Sequence, residues 1–179
     1  GSLDYLTSHS VSNTFLFLPD SMNTHAESFT NRKTVLAGVE FPSVKGDTVR
    51  LHWEPYKDFM DIFRGPRDIS MYDGQVMMTG DLTLAPTGMT GRGMMQFVTS
   101  ELESNKFRYK MDVFDADTSD FRLTSDESSS FAFTTKGVQA HIDFQKRFGD
   151  FKSISGGSFV NFPVNQYISF IDQFKWLMD

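Results

Sequence analysis

At 179 residues the chain suits one hydrophobic core, since lengths of roughly 100–200 residues usually form a single domain burying about 70% of the unfolded surface. Hydrophobic residues make up 39% and aromatic residues 15%, with 19 phenylalanines, which excludes a disordered chain. With 17 basic against 23 acidic residues (net charge -6), no Lys/Arg cluster and no cysteine, a phosphate-binding nucleic-acid face, disulfides and thiolate chemistry are excluded as well.

Residues 1–33 open in polar, Ser/Thr/Asn-rich text and are expected to be loosely held. Within them 14–20 (TFLFLPD) predicts one short buried strand and a turn at Pro19-Asp20. From Thr34 the pattern sharpens into TVLAGVEFP and DTVRLHWEPY. Val49, Leu51 and Trp53 fall on one face and Arg50, His52 and Glu54 on the other, a half-buried strand, with Pro42 and Pro55 where strands end. In KDFMDIFRG (57–65), Phe59, Ile62 and Phe63 recur at helical spacing over too short a run for a helix, so one helical turn or a loop is expected there.

Residues 72–123 carry the longest serial strand pattern. Gly74, Gly80 and Gly93 each precede a short apolar run (QVMMT, DLTLA, MMQFV). Leu82/Leu84, Phe107/Tyr109/Met111/Val113 and Phe121/Leu123 alternate with polar neighbours, and PTGMTGRG reads as a turn-forming connection. About five short strands are expected in this stretch. After the polar loop DESSS (126–130), Val138, Ala140, Ile142 and Phe144 point one way and Gln139, His141, Asp143 and Gln145 the other. KRFG (146–149) predicts a hairpin with Gly149 at positive φ, and Gly156-Gly157 sets that pair apart from SFVNFP. Residues 164–179 fit two patterns. Val164, Tyr167, Ile168, Ile171, Phe174 and Met178 make a helical stripe, which periodicity slightly favours. Phe170, Phe174, Trp176 and Met178 make one face of a strand, which the surrounding text favours. No apolar run approaches the roughly 18–20 residues of a membrane helix.

The pattern predicts an all-β fold over a single domain, 1–179, with at most one or two short helical turns. Serial short strands forming an open β-solenoid or β-trough are expected, with a twisted β-sandwich as the alternative. No fixed-period repeat accompanies them.

Chemistry-bearing motifs are scarce. DADTSDFRLTSD (115–126) matches a calcium loop at several oxygen positions, but Asp120 stands where the loop's sharp turn needs glycine, so a solvated strand edge is the better reading. His9, His25, His52 and His141 lie far apart without His-x-x-x-His spacing and read as surface residues. No Gly-x-Ser-x-Gly elbow occurs, GMTGRG lacks the Lys-Ser/Thr of a phosphate loop, and Glu101/Glu103 share one exposed strand face. No catalytic, metal-binding or cofactor-binding residue is expected, and the chain reads as a non-enzyme. Trp53, Tyr56, Tyr109, Tyr167 and Trp176 are the candidate ligand-binding residues. They suit a sugar-stacking groove or a lipid-facing trough, set against the core packing usual in a Phe-rich β domain.

HWEPYKD, YDGQVMMTGDLTLAPTGMTGRG, DADTSDFRL, VQAHIDFQKRFGDFKS and FPVNQYISFIDQFKWLMD cover most of residues 45–179. Their wording resembles a group of large exported β-rich proteins of Bacteroides-type bacteria, a group that brings no known catalytic residues. YDG…TGDLTL…GMTGRG and HIDFQKRFGDFKS are also similar to the OstA-type β repeats of lipopolysaccharide-transport proteins and related bridge-like lipid carriers. Those families imply an open, V-shaped β trough with a greasy interior. The resemblance implies a structural or binding module of a larger cell-envelope or extracellular protein (periplasm, outer membrane or cell surface), and Gly1-Ser2 reads separately as a scar expected from tag removal. The implied partners are other modules of the same polypeptide and a lipid or glycan, without nucleic acid or cofactor. Open sheet edges further predict an edge-strand dimer.

Overall fold

Alternation at period two prevails along nearly the whole chain, because Val, Leu, Ile, Met and Phe at every second position give each strand one face to bury. The computed structural model describes residues 20–125 and 128–178. The strand expected at 14–20 lies outside the described residues except for Asp20.

Among the described residues fifteen strands follow one another: β1 (Met22–Asn31), β2 (Thr34–Leu36), β3 (Val39–Phe41), β4 (Val44–Glu54), β5 (Phe59–Phe63), β6 (Ile69–Met71), β7 (Val76–Ala85), β8 (Gly88–Gln96), β9 (Ser100–Tyr109), β10 (Val113–Ser125), β11 (Ser128–Asp143), β12 (Phe148–Ser153), β13 (Ser158–Phe162), β14 (Tyr167–Ile171) and β15 (Gln173–Leu177). The fold is all-β, and the one helical element among the described residues is a 3₁₀ turn at Pro55–Lys57.

Antiparallel pairing joins β1, β4, β5, β7, β8, β9, β10, β11, β12 and β15 in that order. β6 pairs with both β4 and β7, so β4, β5, β7 and β6 close a four-strand ring, and the sheet is not open throughout. β13 pairs with β11 and carries β14, while β2 and β3 form a separate hairpin.

Rings that are distant in sheet order meet inside. Trp176 on β15 stands edge-on to Phe97, just after β8, at 5.0 Å, and lies 5.6 Å from Phe121 on β10. Tyr72, just after β6, stacks at 4.1 Å on Phe144 in the turn after β11. These contacts require the sheet to curl over its own apolar face. One continuous core results, running from Ala26 to Phe151. Phe107, Phe114, Phe121 and Phe151 are fully buried within it, each stabilising the fold by about 1.5–3 kcal/mol relative to exposure.

Several expectations are corrected. Met22–Asn31, part of the segment expected to be loose, pairs along most of β4 and buries Ala26 and Phe29, while Asn31 Nδ2 donates to the Pro42 carbonyl at 2.7 Å. KDFMDIFRG supplies a strand, β5, because Met60 and Ile62 insert between Trp53/Leu51 of β4 and Leu84/Leu82 of β7. Residues 72–123 make four long strands in place of about five short ones. Gly80 and Gly93 face each other inside β7 and β8, and all of GMTGRG is strand, the turn being confined to Pro86-Thr87. At 146–149 the left-handed residue is Arg147 (φ 55), two positions before the glycine chosen from sequence. Gly149 lies within β12, where a Cβ would sit 2.7 Å from Ile142 Cδ1 and 3.1 Å from the Trp176 ring. The final segment is two strands, β14 and β15, because pairing with β13 and β12 supplies partners that a lone helix would lack.

Candidate functional site

The five candidate aromatics do not form one row. Tyr109 is 2% exposed, with its hydroxyl directed at the sulfurs of Met78 and Met95 at 3.7 and 3.5 Å, so it is a core residue and offers no face to a ligand. Burial pushes its hydroxyl pKa well above the ordinary tyrosine value. Trp53 and Trp176 are half-buried and pack on the core. Tyr56, in the 3₁₀ turn, is 70% exposed and Tyr167, on β14, 57% exposed, and the two sit on separate elements of the fold. Trp176 joins Phe97, Phe144 and Met178 in lining a cleft of about 240 Å³, with Gln75 and Arg147 at its side.

On the outer face the register brings polar residues into a continuous line. Asn23, His52, Asp61, Thr83 and Thr90 oppose one another in turn across β1, β4, β5, β7 and β8. The line continues through Arg108, Asp115, His141, Asp150 and Lys175 on β9, β10, β11, β12 and β15. Alternation explains it, since each of these residues lies between two inward-facing positions, as His52 lies between Leu51 and Trp53.

Several groups in this line pair with one another, and others pair with a neighbouring side chain. His52 Nδ1 is 2.9 Å from Asn23 Oδ1, Thr83 Oγ1 donates to Asp61 at 2.7 Å, and His141 Nδ1 is 2.6 Å from Asp115 Oδ1. Arg108 forks onto Asp117 at 2.5 and 2.7 Å, and that guanidinium holds the Asp117 carboxyl below the usual carboxylate range. A groove of about 260 Å³ runs past Arg108, Asp115, His141, Asp150 and Lys152. Its lining contains a His–Asp pair but no Ser, Thr or Tyr hydroxyl, so it lacks the nucleophile of a hydrolytic triad. Among the described residues, no group of three or more His, Cys, Asp or Glu is placed to hold a metal ion, and no helix is long and apolar enough to cross a membrane. The calcium-like stretch from Asp115 runs along β10, where Asp120 accepts the Gly137 N–H at 3.1 Å and so is committed to the β10–β11 irregularity.

Apart from Tyr167, the β13–β14 hairpin is a surface that sequence reading missed, above all the face opposite that tyrosine. Phe159 is 72% exposed, Ile168 63% and Phe170 58%, all on one face with Phe159 and Phe170 ring to ring at 5.3 Å. Val164 in the turn is also exposed. Among the described residues β14 pairs only with β13, leaving its second edge open. A signal was present: residues 153–171 contain no Asp, Glu, Lys, Arg or His, in a chain that is 22% charged. Natural sheets usually guard such edges with charge or proline. No family model, curated protein or solved structure matches this chain.

Proposed function

We propose that the chain is a non-enzymatic structural or binding module of a large exported cell-envelope protein, working through its outer surfaces and sheet edges. The observation carrying this reading is the uncharged, open β14 edge with Phe159, Ile168 and Phe170 beside it, joined to an interior occupied by aromatic side chains. A filled interior favours partners on the outside. In this reading the strands beyond the closed ring, β8 to β15, are the trough-like part that stacks against neighbouring modules of the same polypeptide. The envelope location rests on the resemblance of residues 45–179.

A lipid-binding reading has one observation in its favour, the apolar cleft at Phe97, Phe144, Trp176 and Met178. At about 240 Å³ it falls below the roughly 300–1,000 Å³ of ordinary ligand pockets, room for the end of an acyl chain at most. Immunoblotting of fractionated cells of the native host, with antibodies against this chain, tests the main reading. Recovery with the envelope or the medium is expected, and recovery in the cytosol overturns it. Solvent extraction of the purified chain and mass spectrometry separate the two readings, because stoichiometric co-purified lipid would replace an outward-working module with a carrier.

A further inference from the structure

We infer that β14 is a self-association edge, at which a second copy of this chain adds its own β14 antiparallel about a two-fold axis through Ser169. The inference does not depend on where the protein resides. Among the described residues nothing pairs with the backbone N–H and C=O groups along the outer edge of β14, and an added strand satisfies them. Insertion of the same hairpin into hydrocarbon would leave them bare, a cost of several kcal/mol per group, so a lipid surface is the poorer occupant.

Charge favours a second copy. The chain carries a net charge of -6, so two copies repel over most of their surfaces, and the segment 153–171 brings no charge to the contact. The ends of the main sheet differ in this respect: β1 exposes His25 and Glu27, and β15 exposes Lys175.

The strand is also complementary to itself. Centred on Ser169, all five residues pair: Tyr167 with the partner's Ile171, Ile168 with the partner's Phe170, and Ser169 with its own copy. One step outward, Asp172 faces the partner's Gln166, whose amide can donate to it. Registers shifted toward the C-terminus bring the two Asp172 carboxylates together, and those shifted the other way leave residues unpaired. The closed two-fold arrangement stops at a dimer and does not extend into a fibre. A five-residue edge buries less than the roughly 1,200 Å² of a standard interface, so the dimer is weak and concentration-dependent.

Sedimentation of the 179-residue chain tests this. A reversible dimer populated by roughly 0.1 mM is expected, and a monomer at every concentration up to about 1 mM overturns the inference. Ile168→Lys and Ile168→Glu place like charges diagonally across the axis, about 7–8 Å apart. Each variant alone is expected to weaken association roughly tenfold or more, and an equimolar mixture to restore it. Unaltered dimerisation in both variants places the contact elsewhere and overturns the proposal. Should either charged variant fail to fold, Ser169→Cys in this cysteine-free chain supplies the second readout. Opposed residues have Cα atoms about 4.5–5.5 Å apart, within disulfide range, so oxidation is expected to cross-link Ser169→Cys but not Val164→Cys in the exposed turn. Equal cross-linking of the two, or of neither, overturns the two-fold register.

Discussion

Two buried tyrosines show how far a single side chain can be read from sequence. Alternation at Phe107/Tyr109 places Tyr109 on its neighbour's face, but does not say whether that face looks inward or onto a groove. Only the curl of the sheet decides this, by bringing Met78 and Met95 to the hydroxyl. Tyr72 lies in a turn with no periodic signal, and its hydroxyl donates to the Val113 carbonyl at 2.9 Å. Burial is the main cause pushing both pKa values well up, and for Tyr72 the neighbouring Tyr109, Asp115 and Asp112 add to it. The folded pKa values therefore lie above the unfolded value of about 10. The unfolded chain releases protons that the fold retains, so this contribution is complete below about pH 10 and is lost as pH rises through the folded values. Tyr109→Phe is expected to flatten the alkaline loss of stability while changing neutral stability by less than about 1 kcal/mol, because sulfur is a weak acceptor. Urea titrations at about pH 8 and about pH 10.5 check it; equal losses in variant and wild type would show that Tyr109 does not contribute to the alkaline limb.

At the scale of elements, strands with clean period-two runs, such as Val138 to Ile142, were legible, and those needing a partner to declare themselves were not. β5 and β14 are five residues each, too short for pattern alone to separate a strand from a turn of helix. Gly74 and Gly157 do stand just before strands, β7 and β13, whereas Gly80 and Gly93 were misread as strand starts. Gly93 sits inside β8 at φ 132, and a Cβ there would lie 2.2 Å from the Thr79 carbonyl oxygen across the Gly80–Gly93 pair. The need is for close approach of two backbones at a bulge, which one strand's text does not reveal. Gly93→Ala is expected to cost about 2–4 kcal/mol, combining backbone strain with a clash that β7 cannot relieve. Gly38 has φ 82 and open space within 4 Å of where a Cβ would stand, so Gly38→Ala carries the conformational strain alone, about 1 kcal/mol. Urea midpoints compare the two variants directly, and equal losses would show that close approach at Gly93 is not what selects glycine there.

For the whole molecule, the all-β class was legible because alternation is local, whereas the closed ring and the curl were not, because they rest on pairs such as Phe97 with Trp176 that no local pattern connects. The outer polar line was half legible: each member lies on the polar side of its own strand, and only the register aligns them. One continuous core from β1 to β12, covered at its far end by Phe174 and Trp176 of β15, argues that the sheet unfolds as a unit. The chain's two tryptophans lie toward opposite ends of the pairing order, Trp53 on β4 in the closed ring and Trp176 on β15. Trp53→Phe leaves Trp176 as the lone reporter, and Trp176→Phe leaves Trp53. Within each variant, the fluorescence of the remaining tryptophan and the far-ultraviolet circular dichroism are expected to share one urea midpoint, even if the two variants differ in stability. Loss of Trp176 fluorescence at lower urea than the loss of β signal would mean that β15 peels from a ring that stays folded, and that the ring and the strands beyond it, β8 to β15, are separately stable units.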